Sequence, residues 1–233
     1  VDAYSEVEEL KNQRVAIIKE GYEMEGNDPE VKAAMDKVIE GLKAQGHTVD
    51  LVSFSYLDYM VPTYYVLTTA EASSNLSRFD GVHFGHRSQN ANGVEETYKK
   101  SRSEGFGPEV QRRIMAGTFV LSHGYYDAYY TKGQKVRRVL QNKTKEIFEK
   151  YDAIVLPTTP TTAFELNAVS DPISMYLQDI YTVHANLSGN PAISLPMGKH
   201  SNGLPFGIQV IGDFFKEKEM LNFSRQLEKI EVN

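Results

Sequence analysis

Residues 15–54 read VAIIKEGYEMEGNDPEVKAAMDKVIEGLKAQGHTVDLVSF, and this stretch decides the fold class. Val15 to Ile18 is a short apolar run bounded by polar residues, the pattern of a buried strand. Asp28 follows as an N-cap, with Pro29 at the first helical position, where a missing N–H costs nothing. Val31, Ala34, Met35, Val38, Ile39 and Leu42 recur at three- and four-residue spacing, giving the helix one apolar face. Gly46 closes that helix in the left-handed conformation. His47 to Phe54 returns as a second strand. A strand–helix–strand unit places the chain in the α/β class.

Working outward, a second helix is expected over about Tyr64–Phe79 and a glycine-rich loop over Asp80–Gly93. Pro108 opens the next helix, with Val110, Ile114 and Met115 on one side. Gly133 is expected to separate it from another helix, about Gln134–Lys150, whose Val136, Val139, Leu140, Ile147 and Phe148 face inward. Ala153–Leu156 reads as a buried strand. Pro157 and Pro160 force the chain after it into an extended loop, the place where α/β folds carry binding residues. A helix near Ile173–Leu187 comes next. GNPAISLP and GLPFGIQVIG then read as two strands joined by a turn, Gly198–Gly203. An amphipathic helix over about Lys216–Lys229 ends the pattern. No repeat and no linker-like stretch interrupts residues 1–233, so one domain is expected.

Composition narrows the chemistry. The 233 residues are 41% hydrophobic and 24% charged, enough for a globular core. A net charge of −6 argues against a primary nucleic-acid grip, which needs clustered Lys and Arg. The four cations Lys132, Lys135, Arg137 and Arg138 read as a solvated helix face. With no cysteine, disulfides, zinc–thiolate sites and thiol nucleophiles are excluded. No apolar run approaches membrane-spanning length, and the opening VDAYSEVEELKNQ carries no signal-peptide core, so a cytoplasmic location is expected.

Two charged residues stand out. Arg112 and Arg113 lie in an otherwise apolar helical pattern, with Tyr125, Tyr126, Tyr129 and Tyr130 close behind in sequence. Guanidinium groups beside aromatic faces suit a carboxylate-bearing small molecule. Arg113 has two readings, a surface pair with Glu109 four residues earlier or a bidentate clamp on a carboxylate. Asp179 sits among residues that look buried, where a carboxylate needs a partner; it serves either as a cap or as a seat for an ammonium group. His83 and His86 are three apart, but neighbouring glycines and the lack of a third ligand argue against a metal pair. Neither Ser73-Ser74 nor Ser188-Gly189 has the setting of a nucleophile.

The blocks RFDGVHFGHRS, SRSEGFGPEVQRRIMAGTFVLSHGYYDAYY, YDAIVLPTTPTTAF, SMYLQDIYTVHANLSGNPAISLP and GLPFGIQVIG resemble, in order, the C-terminal half of the amidase signature family, in its branch of tRNA-dependent amidotransferases. The likeness covers almost the whole chain. It implies part of the amidase signature fold, a mixed β-sheet covered by helices. The family's lysine–serine–serine triad lies on a glycine/serine-rich segment whose motif is not found in this sequence. Residues 1–233 are therefore expected to be a C-terminal portion without the catalytic portion, inactive alone, and no catalytic residue is carried over.

In that branch a serine attacks the side-chain amide of glutamine and releases ammonia. The ammonia serves the conversion of Glu-tRNA(Gln) to Gln-tRNA(Gln) on the B subunit of the complex, which uses ATP and Mg, while the C subunit braces the assembly. The resemblance thus implies glutamine and the amidotransferase's B and C subunits as partners. It implies tRNA contact only through the B subunit, no membrane, and no cofactor or metal in this chain. Matching the RRI and MYxxDI segments places the α-carboxylate of glutamine on Arg113 and its α-amino group on Asp179. That agrees with the charge reading, since a zwitterion takes one cation and one anion. His83 departs from the family pattern, which often has arginine after the DG pair. Another amide hydrolase of the same family, or a non-catalytic scaffold module, are the alternatives.

Overall fold

The computed structural model describes residues 8–166, 168, 175 and 177–230. It divides into two compact units: Pro62–Val136, and Val1–Val61 together with Arg137–Asn233. In chain order the elements are β1 (Arg14–Ile18), α1 (Lys19–Tyr22), α2 (Pro29–Ala44), β2 (Thr48–Val52), α3 (Leu57–Leu76), α4 (Gly93–Gly105), α5 (Pro108–Val120), a π-helical stretch (Asp127–Thr131), α6 (Lys132–Phe148), β3 (Ala153–Pro157), α7 (Val183–Ser188), β4 (Ala192–Lys199), β5 (Pro205–Ile211) and α8 (Glu217–Leu227). The chain passes from one unit to the other inside α3 and inside α6. No linker composition marks those points because the backbone there is helical.

The discontinuous unit holds a mixed five-stranded sheet in the order β2-β1-β3-β5-β4. β1 pairs in parallel with β2 and β3; β5 pairs antiparallel with β3 and β4. The strand–helix–strand reading holds. Asp28 caps α2 through the N–H groups of Glu30 (2.8 Å) and Val31 (3.4 Å). Val31, Ala34, Met35, Val38 and Leu42 are buried. At the other end Gly46 has φ +86, and the N–H groups of Gly46 and His47 bond the carbonyls of Lys43 and Leu42, a Schellman closure. His47 is tied further: its Nδ1 accepts the Gln13 N–H at 3.2 Å and its ring meets Phe223 of α8 edge-on at 5.8 Å. The core cluster joins Val15 and Ile17 of β1, Val155 of β3 and Val210 of β5 to the apolar faces of α2 and α8.

Several expectations need adjusting. The expected start of a helix at Ile173 lies outside the described residues; Met175 and Leu177 are helical, and a turn over 178–182 then leads into the short α7. In the α6 pattern, Leu140 and Ile147 are buried but Val139 is 40% exposed, because the inward line runs through Leu140, Thr144 and Ile147.

In the unit Pro62–Val136, α4 carries no apolar stripe, and its buried residues are Thr97 and Ser101. Met115 of α5 is 73% exposed rather than inward; Gly117 and Val120 are the buried residues of that helix. A Cβ on Gly117 would come within 1.9 Å of the Thr69 carbonyl oxygen, so α5 meets α3 backbone to backbone there. Gly133 does not break the helix: it lies inside α6, against Leu67 and Val66 of α3. Among the described residues, no helix is long and apolar enough to cross a membrane.

Candidate functional site

Arg113 belongs to the unit Pro62–Val136. Pro108 starts α5 and sets Glu109 one turn before Arg113, whose Nε donates to Glu109 Oε1 at 3.0 Å. Arg112 bonds the other carboxylate oxygen of Glu109. The hydrogen bond to Glu109 is the main cause raising the Arg113 pKa above its ordinary value, with burial opposing it. The surface pair read from sequence is therefore present. It does not exhaust the guanidinium, which offers a second bidentate edge through its two terminal nitrogens.

The ring beneath Arg113 is Tyr65 of α3, with the guanidinium carbon 5.2 Å from the ring centroid. Tyr65 in turn meets Tyr64 edge-on at 5.4 Å. The tyrosines singled out in the sequence occupy other contacts. Tyr125 and Tyr129 group with Phe119 at 4.2 and 5.5 Å, and Tyr126 pairs with Tyr130 at 5.1 Å. Residues four apart stack along the π-helical stretch, so these rings turn to one another. Tyr65 had no sequence signal, because it lies 48 residues before Arg113.

Asp179 belongs to the other unit and lies in the turn 178–182. It is exposed, so the sequence expectation of a buried carboxylate is corrected, although its neighbours Ile180 and Tyr181 are buried. Its carbonyl accepts the Val183 N–H and the Thr182 hydroxyl, both at 3.1 Å. The turn is fastened on both flanks. Thr161, in the loop after β3, donates to Gln178 Oε1 at 2.9 Å. The Tyr181 hydroxyl lies 2.8 Å from the Gly21 carbonyl and 2.6 Å from Asn27 Oδ1, and Gln209 of β5 donates to the Tyr181 carbonyl at 3.0 Å. Burial pushes the Tyr181 phenol up to about 12.

The loop after β3 also joins the start of α2. The Asp28 N–H donates to the Pro160 carbonyl at 2.9 Å. His200 Nε2 sits between Asp28 Oδ2 (3.3 Å) and Glu30 Oε1 (3.2 Å). Glu30 also accepts the N–H and hydroxyl of Ser201, which hold its carboxyl below the usual range.

The remaining candidates are engaged elsewhere. His83 bonds Asp80 at 2.7 Å, holding that carboxyl well below the usual range, and His86 bonds Glu104 at 3.0 Å. Among the described residues, no group of three or more His, Asp or Glu is placed to hold a metal ion. His123 is exposed. Ser73 shares a hydrogen bond with Thr118, and the buried Ser188 donates to the His184 carbonyl, so neither faces a base.

The family model described as Amidase matches residues 2–221. The A subunit of the glutamyl-tRNA(Gln) amidotransferase of Agathobacter rectalis is 50% identical over 96% of the chain and 44% of its own length. The same subunit from Macrococcus caseolyticus is 49% identical over 99% of the chain and 48% of its own length. Among solved structures, the A subunit of the Thermotoga maritima glutamyl-tRNA(Gln) amidotransferase superposes with a TM-score of 0.72 at 38% identity, over 97% of the chain and 46% of that structure. A bacterial aryl acylamidase superposes at 0.73 with 16% identity, over 99% of the chain and 46% of that structure, a likeness of fold alone. The chain spans about half the length of the curated relatives it matches.

Proposed function

Because the chain belongs to the amidase family, we propose that it is the glutamine-binding part of a glutaminase subunit that supplies ammonia for converting Glu-tRNA(Gln) to Gln-tRNA(Gln). The observation that carries this reading is 50% identity to the Agathobacter rectalis amidotransferase, sustained over 96% of the chain. Arg113 takes the α-carboxylate through its terminal nitrogens, and Tyr65 holds the guanidinium plane from below. Asp179, exposed on its turn, takes the α-ammonium group. Neither residue attacks the amide. The nucleophile belongs to the family's lysine–serine–serine triad, whose motif is not found in residues 1–233, so the chain alone binds glutamine without releasing ammonia. The B subunit, using ATP and Mg, consumes the ammonia, and the C subunit braces the pair.

Titration calorimetry of the chain with L-glutamine and with propionamide, an amide without the zwitterion, tests this. L-Glutamine should bind and propionamide should not. Arg113→Ala should weaken L-glutamine by about 10- to 100-fold, the worth of a lost charge-assisted hydrogen bond. Equal binding of both amides, unaffected by the substitution, would favour a different amide hydrolase. No glutamine binding at all would overturn the reading, and ammonia release by the chain alone would overturn its inertness.

A further inference from the structure

We infer that Tyr181 is the positioning residue for Asp179, a fully buried phenol that fixes the turn carrying the proposed ammonium-binding carboxylate. The inference rests on the glutamine reading above. It starts from a contrast within three residues: Asp179 is exposed, Ile180 is 4% exposed and Tyr181 is not exposed at all. An exposed turn keeps backbone freedom unless something anchors it, and ordering a binding group carried on such a turn costs affinity.

Tyr181 supplies the anchor three ways. Its ring packs on Gly21, where a Cβ would come within 3.0 Å of Tyr181 Cε1. Its hydroxyl reaches the Gly21 carbonyl and Asn27 Oδ1, while Asn27 Nδ2 donates to the same Gly21 carbonyl at 2.7 Å. Its carbonyl accepts from the buried Gln209. The turn is thereby bound to α1, to the loop after it and to β5, and Thr161 secures Gln178 on the other flank from the loop after β3. A phenylalanine would fill the same space, so the hydroxyl is present for its two acceptors rather than for packing.

The test uses the full chain and two ligands: L-glutamine and 5-amino-5-oxopentanoate, which is glutamine without its α-amino group. Tyr181→Phe should weaken L-glutamine about tenfold. It should leave 5-amino-5-oxopentanoate unchanged, and it should add nothing in an Asp179→Ala background. Equal weakening of both ligands, or an effect that adds to Asp179→Ala, would make Tyr181 merely structural and overturn the inference while leaving the glutamine site intact. A wild-type chain that binds neither ligand, or both equally, would remove the proposed ammonium seat itself. Should Tyr181→Phe fail to fold, Thr161→Val loosens the same turn from the other side. The same ligand-selective loss is expected there, and a folded Thr161→Val chain with unchanged L-glutamine affinity would overturn the inference.

Discussion

Gly117 has no room for a side chain of any size. The atom nearest to an added Cβ is the backbone oxygen of Thr69, which cannot rotate away. Gly117→Ala must therefore push α5 off α3, and a loss of about 2–3 kcal/mol in unfolding free energy is expected from urea titrations. His184 makes a second prediction, about pH. Thr144 donates its hydroxyl hydrogen to the Leu140 carbonyl, so His184 Nε2 must be the donor in its 2.8 Å contact with Thr144. That leaves Nδ1 as a buried acceptor with no partner. Burial pushes the imidazole down to about 4, from 6.5 when exposed. The unfolded chain thus binds a proton that the folded chain refuses. The associated stability is complete above pH 6.5 and is lost as pH falls toward 4, on the order of 3 kcal/mol in total. His184→Gln should flatten this acid slope in urea unfolding measured from about pH 7 to about pH 4.5, and an unchanged slope would contradict it. Residues whose partners are close in sequence, such as Asp28 and Gly46, were legible from the chain alone. Tyr65 beneath Arg113 and Asn27 beside Tyr181 were not, since nothing in one segment names a partner dozens of residues away.

Among elements, α2 was the most legible because its signals are all local: cap, proline, apolar face and left-handed closure. Its capping makes the prediction at this scale. Asp28→Ala strands the N–H groups of Glu30 and Val31 and removes a partner of His200. A loss of about 1–2 kcal/mol is expected, read as a lowered melting temperature. A melting temperature equal to wild type would show that water replaces the cap without cost. The helix α4 left no apolar signature, since its buried residues are a threonine and a serine. In α5 and α6 the sequence pattern indicated the helices and the inward Leu140 and Ile147 of α6, but it set Met115 and Val139 on the apolar side, where both are exposed. Glycine is inward in both, at Gly117 and Gly133, and periodicity rules weigh large apolar residues instead.

For the whole molecule, both halves of the sheet were legible: the parallel part from the strand–helix–strand unit, the antiparallel part from the hairpin near the end. The division into two units was not, because both crossings lie within helices. The sheet order places β1, β3 and β5 inside and β2 and β4 at the rims among the described strands. Native-state hydrogen exchange should therefore find its slowest amides in β1, β3 and β5. Slower exchange in β2 or β4 would mean that the sheet is ordered differently.

His47 shows what such a sheet asks of the folding chain. Three strangers in sequence meet at one imidazole: the end of α2, the approach to β1 at Gln13, and Phe223 of α8. The contact with Phe223 is the one that waits for the last helix to dock. The imidazole is thus a clasp that joins the opening strand–helix unit to the closing helix, two ends of the sheet's cover that sequence alone keeps far apart.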